Sequence, residues 1–96
     1  GVGADVANVH CHPCHTDRSW VRDSGPIFVK DATGSAVALD WRFNAWAKYP
    51  DWRYDDRIPE YVAGVRQVPR VQPERNGHRV VLEGGSIDVN GAGLML

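Results

Sequence analysis

Two short apolar runs followed by one amphipathic stretch limit what this chain can build. Ile27 to Lys30 and Ala36 to Trp41 flank D-A-T-G-S, whose Asp, Gly and Ser favour a tight turn, so the runs read as a β-hairpin. Beyond them Asp51 to Asp56 supplies helix N-cap candidates. Ile58, Tyr61, Val62 and Val65 then recur at helical spacing and predict a helix of about three turns ending near Gln67, with Pro59 in its first turn. Val6 to His12 reads as a strand, Arg79 to Leu82 and Ser86 to Val89 as two more, and Asn90-Gly91 as a hairpin turn needing positive φ at both residues. The predicted order is strand, β-hairpin, helix, β-hairpin, an α/β arrangement.

With 96 residues the chain is one small domain with room for one site. Nine Arg and two Lys are scattered among twelve acidic residues, so no basic face exists to follow a nucleic-acid backbone. No apolar run approaches the ~20 residues that span a bilayer, and no signal-like series opens the chain, so neither nucleic acid nor membrane is an expected partner. The sequence starts G-V-G-A without Met and stops at G-L-M-L inside an apolar segment, which leads us to expect a piece of a longer protein.

His10-Cys11-His12-Pro13-Cys14-His15 packs three histidines and both cysteines into six residues and matches the C-x-x-C-H haem-attachment pattern. Attached haem needs axial ligands and a mostly helical wrapping, and the only Met, Met95, sits at a predicted strand end. A closed zinc site needs four ligands, usually two from a distant element, and only His78 remains elsewhere. A thioredoxin-like dithiol needs a helix after the pair, for which Gly25-Pro26 leaves little room. The expectation is therefore no metal and no cofactor, with the segment as a strand end carrying small buried thiols and partly exposed imidazoles.

W-V-R-D-S-G-P carries more specific chemistry. Trp20 and Asp23 stand three apart, ahead of a Gly25-Pro26 turn and the strand I-F-V. A carboxylate beside an indole can clamp a flat cation, accepting two parallel N–H bonds from a guanidinium while the ring covers its apolar side. The same residues also fit a surface Arg22–Asp23 ion pair over a core Trp. In V-V-L-E-G-G-S-I-D-V-N-G, Glu83 ends an apolar run before two glycines. A carboxylate there needs a cation or donor to meet it, and the glycines permit close approach of a ligand or another chain segment.

W-V-R-D-S-G-P, D-W-R-F-N-A-W and L-E-G-G-S-I-D-V-N-G, in this order, resemble the motifs of the agmatine deiminase and bacterial-type peptidylarginine deiminase family, over Asn8 to Leu94. The resemblance implies a partial pentein, a five-bladed α/β propeller of ββαβ units of which this chain covers about one and a half. It implies hydrolysis of a guanidino group to a ureido group through a cysteine thiouronium intermediate, in the cytoplasm, with no cofactor. Asp23 and Glu83 are then the expected catalytic residues, Asp23 binding two guanidinium nitrogens and Glu83 favouring the imidazolium of a catalytic histidine. Trp20, Asp23, Asn44 and Trp46 are the expected substrate-binding residues, and Arg22 supports the loop.

The resemblance puts the nucleophilic Cys and the catalytic His beyond the last residue, in a context that neither Cys11 nor Cys14 matches. Agmatine-type members commonly show glycines after F-N-A-W where this chain has Ala47-Lys48, which leaves agmatine against peptidyl-arginine open, with a small guanidino substrate such as agmatine as the default. Self-association of the full-length protein stays open too. A haem- or metal-binding module on His10 to His15, an amidinotransferase and a non-enzymatic pentein are the other readings.

Overall fold

The computed structural model describes residue 3 and residues 5–96. The hairpin forms as expected: β1 (Ile27–Lys30) and β2 (Ala36–Leu39) pair antiparallel, from Ile27 opposite Leu39 to Lys30 opposite Ala36. The turn chemistry is local. Asp31 Oδ1 accepts from Thr33 N at 2.9 Å, Thr33 Oγ1 at 2.6 Å and Ser35 N at 3.0 Å, and Gly34 takes the φ of +82° that closes the loop.

A single helical turn, α1 (Val21–Ser24), leads into β1. After β2 come a short α2 (Arg53–Asp56) and then α3 (Ile58–Arg66), which begins with Pro59 in its first turn and ends at a left-handed Gln67. Ile58, Pro59 and Ala63 make the buried face of α3, which packs on β2 and β3 (Arg70–Val71). β3 lies parallel to β2, with Ala38 opposite Arg70 and Leu39 opposite Val71. The sheet order β1-β2-β3 with α3 as the crossover is one ββαβ unit.

The core is small, with Ala38, Phe43, Ala45, Ile58 and Ala63 as its buried apolar members. It is tied by charge. Asp40, 1% exposed, accepts from Arg70 Nη1 at 2.6 Å, Arg79 Nη2 at 2.9 Å and Gln72 Nε2 at 3.0 Å. Arg79 also reaches Asp56 Oδ2 at 3.0 Å, while Asp56 Oδ1 accepts from Phe43 N at 2.8 Å, so one guanidinium joins the end of β2 to α2.

Several sequence expectations give way. Val6 to His12 is not a strand: Asp5 accepts from Ala7 N at 3.1 Å and Asn8 Nδ2 at 2.8 Å, which favours a 3-10 turn over Val6–Asn8, and the chain then runs exposed to Thr16. Arg79 to Leu82 is not a continuous strand; β4 (Glu74–Arg75) and β5 (His78–Arg79) form a separate hairpin, and Val81 only bridges Arg42. That hairpin turns on Asn76-Gly77, at φ +53° and +79°, the two-residue geometry expected instead at Asn90-Gly91. At Asn90 the side chain accepts from Ala92 N at 2.8 Å and Leu94 N at 3.1 Å, and positive φ falls on Gly91 and Gly93, giving a longer loop. Ser86 to Val89 is likewise no strand, because a 3-10 turn occupies Gly84–Ser86 and only Val89 bridges Met95.

Candidate functional site

Two sequence motifs dock on each other. Gly85 N donates to Asp23 Oδ1 at 3.0 Å, and Arg22 Nη2 reaches the Ile87 carbonyl at 3.3 Å, so α1 lies against the Gly84–Ser86 turn. Both glycines are sterically required there. A Cβ on Gly84 would run into the Arg22 carbonyl oxygen, and one on Gly85 into Asp23 Oδ1. Asp23 is thereby held by one oxygen, and among the described residues no donor meets the other.

A second element is a left-handed turn. Ala45, Trp46 and Ala47 have φ of +53°, +59° and +55°, none of them glycine. Each such residue costs of order 1–2 kcal/mol, and strain of this kind persists only where surrounding contacts impose it. Here the contacts are the fully buried Ala45, the Asn44 Oδ1 that accepts from Ala47 N at 3.0 Å, and Lys48 N donating to the Ala45 carbonyl at 3.0 Å. Trp46 meets Phe43 and Tyr49 edge to face, with centroids 5.3 and 6.2 Å away.

Between these elements lies an open cleft of about 450 Å³, lined by Arg18, Trp20, Asp23, Trp46, Lys48 and Tyr49. Among the described residues Asp23 is the only acid lining it. The wall that carries Arg18 and Trp20 has no regular structure and is held by α2: buried Asp55 accepts from Asp17 N at 2.8 Å and Arg18 N at 3.1 Å, and Asp17 Oδ2 accepts from Tyr54 N at 3.0 Å. Arg18 Nη2 bonds Asp51 Oδ1 at 2.6 Å, and its guanidinium sits 4.5 Å from the Tyr49 ring centroid. That contact holds the Asp51 carboxyl below its usual range.

The structure brings together three of the residues singled out from sequence, Trp20, Asp23 and Trp46. Asn44 is not among the lining residues, and its side-chain oxygen is committed to the left-handed turn. Glu83 is half-buried and outside the cleft lining; its backbone oxygen accepts from Ser86 N at 2.9 Å and Ser86 Oγ at 2.6 Å, joining it to the turn that holds Asp23. Sequence reasoning missed Arg18, Lys48 and Tyr49 as cleft residues. In the sequence the Ala47-Lys48 pair shows only as a departure from a motif, and the left-handed turn before Lys48 has no glycine to announce it.

Cys11 and Cys14 are free and exposed, which corrects the expectation of buried thiols. Among the described residues no three His, Cys, Asp or Glu side chains converge on a point that could hold a metal ion. No helix among them is long and apolar enough to cross a membrane.

The model of the Porphyromonas-type peptidyl-arginine deiminase family matches residues 2–96. The chain belongs to this family. Among curated relatives, agmatine deiminases of Stutzerimonas stutzeri and Pseudomonas fluorescens are 40% and 36% identical, over 84% and 96% of this chain. The chain spans only about a quarter of their length, 22% and 25% respectively. A structure described as agmatine deiminase of Enterococcus faecalis catalysing its reaction superposes with a TM-score of 0.74 at 33% identity, covering 85% of this chain and 23% of that one. A cysteine-to-serine variant of C. jejuni agmatine deiminase with substrate bound gives 0.73 at 34% identity, covering 95% and 26%. The mixed α/β fold therefore corresponds to about a quarter of an agmatine deiminase of this family.

Proposed function

We propose that this chain is the guanidinium-gripping part of a hydrolytic guanidino deiminase, about one and a half ββαβ units of a pentein catalytic domain. The observation that carries the reading is Asp23, an acid in an aromatic-walled cleft, pinned through one oxygen by Gly85. A carboxylate so held can accept parallel N–H bonds from a planar cation, with Trp20 and Trp46 covering its faces.

In the reaction a cysteine thiolate from elsewhere in the polypeptide forms a bond to the guanidinium carbon, and a histidine protonates the departing nitrogen as the C–N bond breaks and ammonia leaves. Water then adds to the thiouronium carbon, the C–S bond breaks, and the ureido product and thiol are released. Asp23 orients the guanidinium for that attack and favours its charge. Glu83, next to the Asp23-binding turn, supplies negative charge toward the histidine, and Asn44 holds the turn that carries Trp46. The chemistry needs no cofactor, and the reading places the enzyme in the cytoplasm.

The names of the curated relatives support agmatine, converted to N-carbamoylputrescine and ammonia, as the first substrate to assay. The family model's description supports peptidyl-arginine as the second. The test is ammonia and ureido-product release by the full-length protein from both, with Asp23→Asn alongside. Normal turnover by a folded Asp23→Asn protein removes Asp23 from the reaction, and no turnover of any guanidino compound removes the deiminase reading itself.

A further inference from the structure

Asp55 and Asp56 are neighbours on α2, and their carboxylates bond the two different walls of the cleft. Asp55, 1% exposed, accepts from Asp17 N at 2.8 Å and from Arg18 N at 3.1 Å, on the wall that carries Trp20. Asp56 Oδ1 accepts from Phe43 N at 2.8 Å, just ahead of the turn that carries Trp46, whose indole meets the Phe43 ring edge to face. Consecutive residues of a helix point about 100° apart, so adjacent acids diverge toward two segments, where a pair one turn apart would serve the same one. The pair is also anchored. Asp56 Oδ2 accepts from Arg79 Nη1 at 3.0 Å, while Arg79 Nη2 donates to Asp40 Oδ1 at 2.9 Å at the end of β2. Tyr54 N, on the same helical turn, donates to Asp17 Oδ2 at 3.0 Å. A further tie runs between the walls themselves: Arg18 bonds Asp51 just ahead of α2 and lays its guanidinium 4.5 Å from the Tyr49 ring centroid.

Resting on the guanidinium reading of Asp23, we propose that Asp55 and Asp56 are a pair of positioning residues that together set the spacing between the wall of Trp20 and the turn of Trp46, and so the pose in which a guanidinium is presented for attack. Neither carboxylate is part of the cleft lining; each acts through backbone amides of its wall. The dependence on spacing is steep, because a misplacement of about 1 Å at the reacting atoms can cost about a hundredfold in rate. A spacing that needs both contacts is freed by the loss of either, and the loss of the second then adds little. Stability behaves otherwise: the two carboxylates satisfy separate donors, so the costs of removing them accumulate.

The experiment uses the full-length enzyme, with agmatine and an arginyl peptide as probes. Ammonia release gives kcat and KM for the unaltered protein, Asp55→Asn, Asp56→Asn and the double variant, each corrected for the folded fraction at the assay temperature. Ile58→Val, which trims the buried face of α3 outside the cleft lining, is measured beside them. Each single substitution should lower kcat/KM about tenfold, chiefly in kcat because Asp23 keeps its charge. The double variant should fall no more than about twofold further, whereas independent supports would multiply to about a hundredfold. The unfolding midpoints should instead drop cumulatively, and Ile58→Val should lower the midpoint while keeping both constants. Asp55→Glu gives a check that needs no double variant: it keeps the charge but pushes the wall outward by a methylene, and it should be as slow as Asp55→Asn. Normal kcat/KM per folded molecule in the single variants, multiplication in the double variant, or near-normal turnover in Asp55→Glu overturns the positioning pair, while a defect of Asp23→Asn in the same assay leaves the guanidinium reading standing. Absence of turnover of both probes by the unaltered protein sinks that reading and this proposal together.

Discussion

Gly85 donates its backbone N–H to Asp23 Oδ1 at 3.0 Å across a separation of 62 residues. The contact joins α1 to the turn after the β4–β5 hairpin, and so couples two of the three motifs that carry the family resemblance. It also sets the direction of the carboxylate. A donor on one oxygen stops the Asp23 side chain from rotating freely and leaves its remaining lone pairs available to a planar cation.

Replacing either partner should separate charge from position. Asp23→Asn keeps the shape but removes the charge, and hydrogen bonds to charged groups are worth roughly 1.5–3 kcal/mol, so kcat/KM for a guanidino substrate should fall about ten- to a hundredfold. Gly85→Ala keeps the charge but puts a methyl group where Asp23 Oδ1 lies, so the carboxylate must swing away. Loss of turnover in both variants, with the ureido product losing less affinity than the substrate in Asp23→Asn, is the expected pattern. If Gly85→Ala turns over normally while Asp23→Asn does not, the docking is incidental to the site.

Asp55 should govern the stability of the wall that carries Arg18 and Trp20. The residue is 1% exposed and accepts from the amides of Asp17 and Arg18. Asp55→Ala strips both donors of their partner, at a cost of about 1–3 kcal/mol. A lowered denaturation midpoint should be accompanied by faster hydrogen exchange at the Asp17 and Arg18 amides than at Ala38, whose N–H is held by the Pro69 carbonyl in the sheet. Uniform acceleration at all three would mean that Asp55 supports the whole fold and not this wall.

The parts of the structure legible in the sequence are those whose cause is local. Asp31, Thr33, Gly34 and Ser35 contain the whole chemistry of their turn, and Ile58, Tyr61, Val62 and Val65 announce α3 by spacing alone. The Gly84-Gly85 pair signalled a close approach, but not what approaches, because Asp23 is far away in sequence. Asn76-Gly77 carried the same signal as Asn90-Gly91, yet its flanks, Glu74-Arg75 and His78-Arg79, have no apolar alternation to mark them as strands. The left-handed turn at Ala45–Ala47 was invisible for a different reason: its residues oppose that conformation intrinsically, and Asn44 and the burial of Ala45 impose it. Asp40 was equally hidden, since the Arg70 and Arg79 that neutralise it arrive from other elements.

Cys11 and Cys14 should prove dispensable. Both are free and exposed, on a stretch without regular structure, and neither lines the cleft that holds Asp23. In the full-length enzyme the Cys11→Ser, Cys14→Ser double variant should keep turnover within a few-fold, with a folding midpoint shift inside the ±0.5 kcal/mol usual for surface changes. A loss of several orders of magnitude with the midpoint unchanged would make one of them the nucleophile and overturn the assignment of the cleft.

The Arg18–Asp51 contact leads to a prediction about pH. Asp51 is held below the ordinary carboxylate value of 3.8, first by the hydrogen bond from Arg18 and then by a backbone bond, against an opposing effect of burial that exceeds the further pull of the guanidinium charge. A carboxyl whose pKa is lower folded than unfolded stabilises the fold above its unfolded value, and the contribution is lost as pH falls below 3.8 through the folded value. Arg18 should therefore remain neutralised throughout the neutral range and be released only in acid. An NMR titration of the Asp51 carboxyl should show a midpoint under 3.8, and Arg18→Gln should return it toward that value. A titration midpoint that Arg18→Gln leaves in place would show that the two side chains do not stay paired in solution.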